Sequence, residues 1–318
     1  MKLIVNLLFV LSCISSVFSQ IDQWENEKIA IREGDNELII IGPQSIEARN
    51  WDKLQHPKFW QEIMRLSPDS VLVNISSTRQ IIAKMSQKDW HAQTEAEKEL
   101  YRDSVRKVYQ LSSESRINVT TGKNDFYRFD LVYESLPKGV SVFESYGVDP
   151  WYAQSILLIE SPGRMQKSIS GAYGPFQLMP GVARSMGLVV NKYTDERKDF
   201  NRSAYAAAQL LKRICIPSAR DIATQAGLII EENAVWFRLL TMHVYHAGAL
   251  NVKAVVTAIG KVNSGEELIQ KMWITTAASF GNNSQNYSQL ALAAHIELRE
   301  YVEKRCKDVY NCGSVYTN

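Results

Sequence analysis

Apolar positions along this chain recur mostly at helical spacing, and runs that alternate strictly are scarce. Leu100, Tyr101, Val105, Val108 and Leu111 mark one face of a charged segment that runs to about Ser115, and Thr94 with Glu97 offers a capping box at its start. A second helix is predicted from Tyr287 to about Lys304, with Leu290, Ala294, Leu298 and Tyr301 on one face. A third pattern, between Ala234 and Ile259, carries Trp236, Leu239, Leu240 and Val244 and is interrupted at Gly248. Asp149 is a good N-cap and Pro150 suits a first helical turn, so WYAQSILLIE reads as a helix that Ser161, Pro162 and Gly163 stop. Leu38 to Ile41 and Val71 to Ile75 are strand candidates, although runs this short do not separate strand from buried helix. The polar stretch Ser112 to Asp125, with Thr120-Thr121-Gly122-Lys123 inside it, reads as a linker or surface loop. The expected fold is mainly α: packed helices, with a smaller and largely helical N-terminal region.

Chemistry enters at the end of the WYAQSILLIE helix. Glu160 follows Ile156, Leu157, Leu158 and Ile159, and desolvation in such surroundings disfavours the charged carboxylate. The negative end of the helix dipole opposes ionisation too, typically by ~0.3 to 1 kcal/mol. Both effects favour a protonated carboxyl at neutral pH, which is what general-acid cleavage of a glycosidic bond requires. Against this stands the ordinary case, in which a glutamate at a helix end is simply solvated. Downstream, Gly171 and Gly174 permit positive backbone dihedrals or close approach of a ligand, and Pro175 and Pro180 stiffen the path. A loop of this kind can carry Ser168 and Gln177 into a cleft, where both suit sugar hydroxyl and acetamido groups; an ordinary Gly-Pro turn is the plainer reading.

Glu160-Ser161, Ser168, Gly171-Ala172, Gly174, Gln177, Met179 and Pro180 resemble the signature of the lytic transglycosylases, relatives of goose-type lysozyme. Further blocks follow in that family's order. Asp195, Arg197 and Asp199 precede the alanine-rich DERKDFNRSAYAAAQLL, and Tyr245, Ala247 and Gly248 in YHAGALNV are similar to the family's tyrosine-asparagine-alanine-glycine motif. Asn286-Tyr287 opens a helix like the one that closes the domain, and Phe126 to Asp149 resembles the helices leading into the catalytic glutamate of the D-type membrane-bound lytic murein transglycosylases. The resemblance covers about residues 140 to 300. Two departures stand out: His246 occupies the usual asparagine position, and the stretch from Leu211 to Tyr245 is longer than the family's, with Cys215, Pro217 and Gly227 suggesting a looped insertion near the cleft.

The resemblance implies a lysozyme-like domain over residues 126–305, Glu160 as the catalytic residue, and Ser168, Gln177, Tyr245 and His246 as substrate-binding residues. It implies peptidoglycan glycan strands as the partner and no cofactor. Glu160 alone would act first as acid and then as base, and the sugar's own C6 hydroxyl would be the nucleophile, giving a 1,6-anhydromuropeptide. Two rival readings remain: a goose-lysozyme-like hydrolase with an aspartate to activate water, and a non-catalytic glycan-binding protein of the same fold.

Composition narrows the rest. At 318 residues, 45% apolar and 22% charged, the chain is ordinary for a globular protein. Lys2 and the apolar run Leu3 to Leu11, with cleavage after Ser19, read as a secretory signal peptide over residues 1–19. A competing reading makes Cys13 a lipidated N-terminus, and a membrane is a partner only in that case, so the expected location is the periplasm or cell envelope, free or tethered. The net charge of +2 falls to +1 without Lys2, and with no basic stripe the sequence does not argue for nucleic acid. Of the three remaining cysteines, Cys306 pairs with Cys312 and leaves Cys215 buried, or Cys215 pairs with one of them; neither spacing resembles a zinc site. His243 and His246 stand at i and i+3 without an acidic neighbour to complete a metal set, so no metal is expected. Residues 20–125 match no known pattern; Trp24, Trp51, Trp60 and Trp90 there serve either sugar stacking or a core, and residues 306–318 form a C-terminal tail.

Overall fold

A computed structural model of the chain describes residues 24–33, 36–160 and 167–306. A turn of 3-10 helix at Glu25–Glu27 leads into strand β1 (Lys28–Glu33), which pairs antiparallel with β2 (Asn36–Ile41), Lys28 opposite Ile41 and Ile31 opposite Leu38. Helices α1 (Gln44–Ala48) and α2 (Gln55–Arg65) follow. Strands β3 (Ser70–Ile75), β4 (Ile81–Ser86) and β5 (Ile117–Thr121) form a second antiparallel sheet in the order β4-β3-β5. Between β4 and β5 lie α3 (Gln87–Ala92) and α4 (Glu95–Val108). The capping box at α4 forms as expected: Thr94 Oγ1 accepts from Glu97 N at 3.3 Å, and Thr94 N donates to the Glu97 carboxylate at 2.8 Å.

Two expectations for this region are corrected. It is not only helical: five strands run through it beside its helices, including both short runs read as strand candidates. Nor is Ser112 to Asp125 merely a linker, since β5 pairs along the length of β3 from Ile117↔Ile75 to Thr121↔Val71. Every β5 residue except Asn118 is β-branched, a preference that suits a pleated sheet and that the flanking serines and glycine obscure.

The rest of the chain is helical: α5 (Phe129–Val132), α6 (Leu136–Ser145), α7 (Pro150–Glu160), α8 (Pro180–Ser185) and α9 (Phe200–Leu210). A π-helical turn at Leu211–Cys215 joins α9 to α10 (Ile216–Gln225), and α11 (Val235–Ala247), α12 (Ala249–Ile259), α13 (Gly265–Met272) and α14 (Asn282–Arg305) complete the fold. The segment after Leu211 therefore continues as helix to Gln225, and the loop expected between Leu211 and Tyr245 is confined to residues 226–234, between α10 and α11. Pro217 falls directly after the π-helical turn, and Gly227 at φ +76° closes α10.

Helix α7 is buried on every side from Trp151 to Ile159, the pattern of a helix at the centre of a core. Around it, Ile40, Ile41, Trp51, Phe59 and Ile63 share one cluster with Phe143, Phe176, Leu239, Leu240, Ala291 and Leu292, so hairpin β1–β2 and α2 pack into the same interior as the later helices. Val73, Ile75, Val105 and Ile117 close a smaller cluster between the second sheet and α4. Trp51, Trp60 and Trp90 are buried and serve packing rather than exposed sugar stacking.

Two buried polar locks fix α7. Gln154 uses its amide like a strand neighbour, accepting from Ile41 N at 2.8 Å and donating to Ile41 O at 2.6 Å. It also donates to His295 Nδ1 at 3.2 Å, while His295 Nε2 donates to Ser155 Oγ at 2.8 Å and Ser155 passes its own proton to Trp151 O. Burial holds the His295 pKa down to about 3, so the ring is neutral and each of these groups is satisfied. At the other end, Asp149 caps Trp151 N at 2.9 Å and pairs with the fully buried Arg238 at 2.7 Å, whose Nη1 also reaches Glu27 at 2.8 Å. Removing one member of such a set strands a buried charge, at a cost of ~3 to 5 kcal/mol.

Candidate functional site

Glu160 is the last residue of α7, mostly buried where the helix emerges from the core. Desolvation raises its pKa to about 7, against a lowering contribution from a hydrogen bond with Tyr287. The sequence anticipates this direction, and the physical cause is the one expected of a carboxyl behind four apolar residues. The Ser161-Pro162-Gly163 stop lies outside the described residues.

Three tyrosines from three elements surround the carboxyl. Tyr127 precedes α5, Tyr245 lies in the last turn of α11, and Tyr287 lies in the second turn of α14. Burial and the Glu160 charge push all three phenols above the usual tyrosine range, so each is a neutral hydroxyl at any working pH. The buried Tyr287 hydroxyl lies near enough to the Glu160 carboxyl to favour its ionised form, without making a regular hydrogen bond to it. Tyr245 donates instead to Phe176 O at 2.6 Å, tying α11 to the glycine-broken loop. Among the described residues no second carboxylate contributes to the electrostatics of Glu160.

The loop is held as a small hairpin. Tyr173 and Leu178 exchange backbone hydrogen bonds at 3.1 Å, and Gln177 adopts φ +45° with its side chain donating to Gly174 O at 3.0 Å. Gly174 sits at φ +83°, and a Cβ there would lie 1.9 Å from Arg197 O, so this position needs glycine twice over. Arg197, itself buried, forms a two-pronged pair with Asp195 and donates to the carbonyls of Gly171 and Leu178, both at 2.9 Å. Asp199 caps α9 through Arg202 N at 2.8 Å. The Asp195–Arg197–Asp199 block thus braces the loop and starts the next helix.

The residues expected to bind substrate fall in two groups. Tyr245 and His246 stand with Glu160: the His246 ring, exposed at its edge, stacks on Tyr287 at 4.2 Å between centroids and 22° between planes. Gln177 is one residue from the carbonyl that Tyr245 holds, and so belongs to the same wall. Ser168 lies farther out, exposed, with Oγ accepting Ala172 N at 2.9 Å. His243 turns away from this group into the core, with its ring 5.2 Å from Phe280. Cys215 is a buried free thiol on the π-helical turn, next to Tyr245 and Tyr287, and Cys312 lies outside the described residues.

Sequence reasoning passed over Tyr127 entirely and used Tyr287 only to place a helix. The signal available for Tyr127 was slight, an aromatic within FYRF after a polar stretch. For Tyr287 the helical face of α14 carried the hint, since Tyr287 and Leu290 begin its apolar side.

With this geometry in view, residues 143–261 match the family model described as the transglycosylase SLT domain. The match takes in Glu160, the glycine loop, Tyr245 and His246, and leaves Tyr127 and Tyr287 outside it. Among curated proteins, none matches the chain.

Proposed function

We propose that this chain, whose residues 143–261 match the transglycosylase SLT domain model, acts on peptidoglycan glycan strands and cleaves the bond between N-acetylmuramic acid and N-acetylglucosamine without consuming water, with Glu160 as the single acid and base. The observation that carries this reading is a carboxyl held near pKa 7 and ringed by neutral phenols. A group with that pKa gives and takes a proton with comparable ease at neutral pH.

The protonated Glu160 donates to the glycosidic oxygen as the bond to C1 breaks, and the sugar's acetamido carbonyl supports the positive charge left on C1. The resulting carboxylate then accepts the proton of the C6 hydroxyl as O6 bonds to C1. Glu160 ends protonated, the released chain carries a free 4-hydroxyl, and the other carries a 1,6-anhydro ring. The attacking oxygen belongs to the substrate, so proximity replaces a positioned water. Tyr287 steadies the carboxylate that forms between the two steps. Gln177, Ser168, Tyr245 and His246 orient the sugars in this proposal, and the catalytic unit extends over residues 126–305. A leader with Lys2 and the run Leu3 to Leu11 supports export to the envelope, where the polymer lies and where such an enzyme serves cell-wall turnover or remodelling.

Digestion of purified murein followed by mass spectrometry tests the reaction. Anhydro-ended fragments are expected, and Glu160→Gln is expected to lose more than ~100-fold in turnover. Reducing-end products one water heavier would identify a hydrolase. Binding of murein without any cleavage would identify a glycan-binding protein.

A further inference from the structure

Helix α14 presents Tyr287 to Glu160, and side chains from the N-terminal region grip that helix on both sides of Tyr287. Arg79, in the turn between β3 and β4, is only 3% exposed. Its Nη2 donates to Asn286 Oδ1 at 2.5 Å and its Nη1 to Asn74 Oδ1 at 3.1 Å. The guanidinium lies over the rings of Phe59 and Trp60, at 5.2 and 5.7 Å from their centroids. Trp60 Nε1 in turn donates to Gln289 Oε1 at 3.0 Å. The grip continues into the sheet, where Asn74 Nδ2 donates to Thr120 Oγ1 at 3.2 Å and Asn118 O at 3.3 Å across β3 and β5.

Arg79 is a costly choice for this position. Among the described residues no carboxylate forms an ion pair with it, its Nε is buried without a hydrogen-bond partner, and burial pulls its pKa down to about 10. The adjacent His56, its pKa held down to about 4 by burial and by Arg79, is neutral and hydrogen-bonded to Ser77 O. An apolar side chain would fill the same space without desolvating a cation. What arginine adds is a rigid fork joining the sheet to the residue that immediately precedes Tyr287.

We propose that Arg79 is a positioning residue for Glu160: through Asn286 it fixes the first turns of α14, and with them the placement of the Tyr287 hydroxyl on the Glu160 carboxyl. The β3–β5 sheet is then a working part of the site, although it lies outside the matched segment. This deepens the reading of Glu160 as acid and base and rests on it.

The test uses the full chain with Arg79→Met, Arg79→Lys, Asn286→Ala and the double variant Arg79→Met/Asn286→Ala. Arg65→Ala, which breaks pairs from α2 to Glu297 and Glu300 farther along α14, serves as the control for general loosening of the same helix. Arg79→Met and Asn286→Ala are each expected to lower kcat on murein ~10- to 100-fold with KM nearly unchanged, the scale of a small misplacement at a reacting group. Their combination is expected to cost no more than either alone. Arg79→Lys restores the charge without the fork and recovers only part of the rate, while Arg65→Ala leaves kcat unchanged. A second readout needs no catalysis: the Glu160 carboxyl, followed by carbon NMR, is expected to titrate at higher pH in Arg79→Met, because a favourable contact to its ionised form is lost and the groups facing it, Tyr127, Tyr245 and Tyr287, stay neutral. Additive losses, an unmoved Glu160 titration in a folded variant, or an equal fall in Arg65→Ala would overturn the proposal. Should Arg79→Met fail to fold, Asn286→Ala and Arg79→Lys decide by the same criteria. A wild-type protein inactive on murein refutes the proposed function, and the titration still reads the positioning role.

Discussion

Replacing Glu160 by Gln should make this protein more stable at neutral pH while removing its activity. The folded-state pKa is about 7 against an ordinary 4.5. At ~1.4 kcal/mol per pH unit, that gap amounts to about 3 kcal/mol favouring the protonated form in the folded state. Between these two values the folded protein binds more protons than the unfolded chain, so wild-type stability falls as pH rises from about 4.5 to about 7 and is level above that. Glutamine keeps the shape of the protonated acid and an oxygen for the Tyr287 hydroxyl, but never ionises. The two proteins should therefore unfold at nearly the same temperature at pH 4. By pH 8 the variant should be ahead by about 5 °C, taking an unfolding entropy of ~2 cal/mol/K per residue. Thermal unfolding followed by circular dichroism across pH 4 to 8.5 measures the difference directly and needs no substrate. A difference that does not change with pH, or a wild type more stable at pH 8, would mean that Glu160 ionises like a surface glutamate, and the argument for a general acid would fail with it.

Two other perturbations probe the same site. Tyr287→Phe removes the contact that lowers the Glu160 pKa, so the basic limb of the kcat/KM profile should move to higher pH while the maximal rate falls; an unchanged limb would show that the hydroxyl does not bear on the carboxyl. The two loop glycines should behave differently under alanine substitution: Gly171→Ala, at φ +92° with nothing within 4 Å of the added Cβ, should cost about 1 kcal/mol, whereas Gly174→Ala, aimed at Arg197 O, should cost about 2 to 3 kcal/mol and lower murein turnover. Chemical denaturation of both variants checks the order, and equal costs would refute the steric argument.

Much of the site was legible in the sequence because its signals are local. Asp149 and Pro150 start α7, the apolar residues that desolvate Glu160 sit immediately before it, and Gly171 and Gly174 mark turns that their own backbones require. The Thr94 capping box and the break at Gly248 were legible for the same reason, since caps and breaks act over three or four residues. The strands of the N-terminal region were harder to read. INVTT becomes β5 only because β3 lies beside it, and polarity in the surrounding stretch concealed its β-branched pattern.

The sequence by itself determined that a carboxyl ends an apolar helix ahead of a glycine-broken loop; the burial that makes this carboxyl resist ionisation came with the tertiary structure. Only the tertiary structure decided what faces it. Tyr127, Tyr245 and Tyr287 meet at Glu160 from positions as far apart as 160 residues, and Arg79 reaches Asn286 across 207. Helical periodicity and capping are properties of neighbouring residues, whereas burial and hydrogen bonding between distant elements exist only once the core has closed around them.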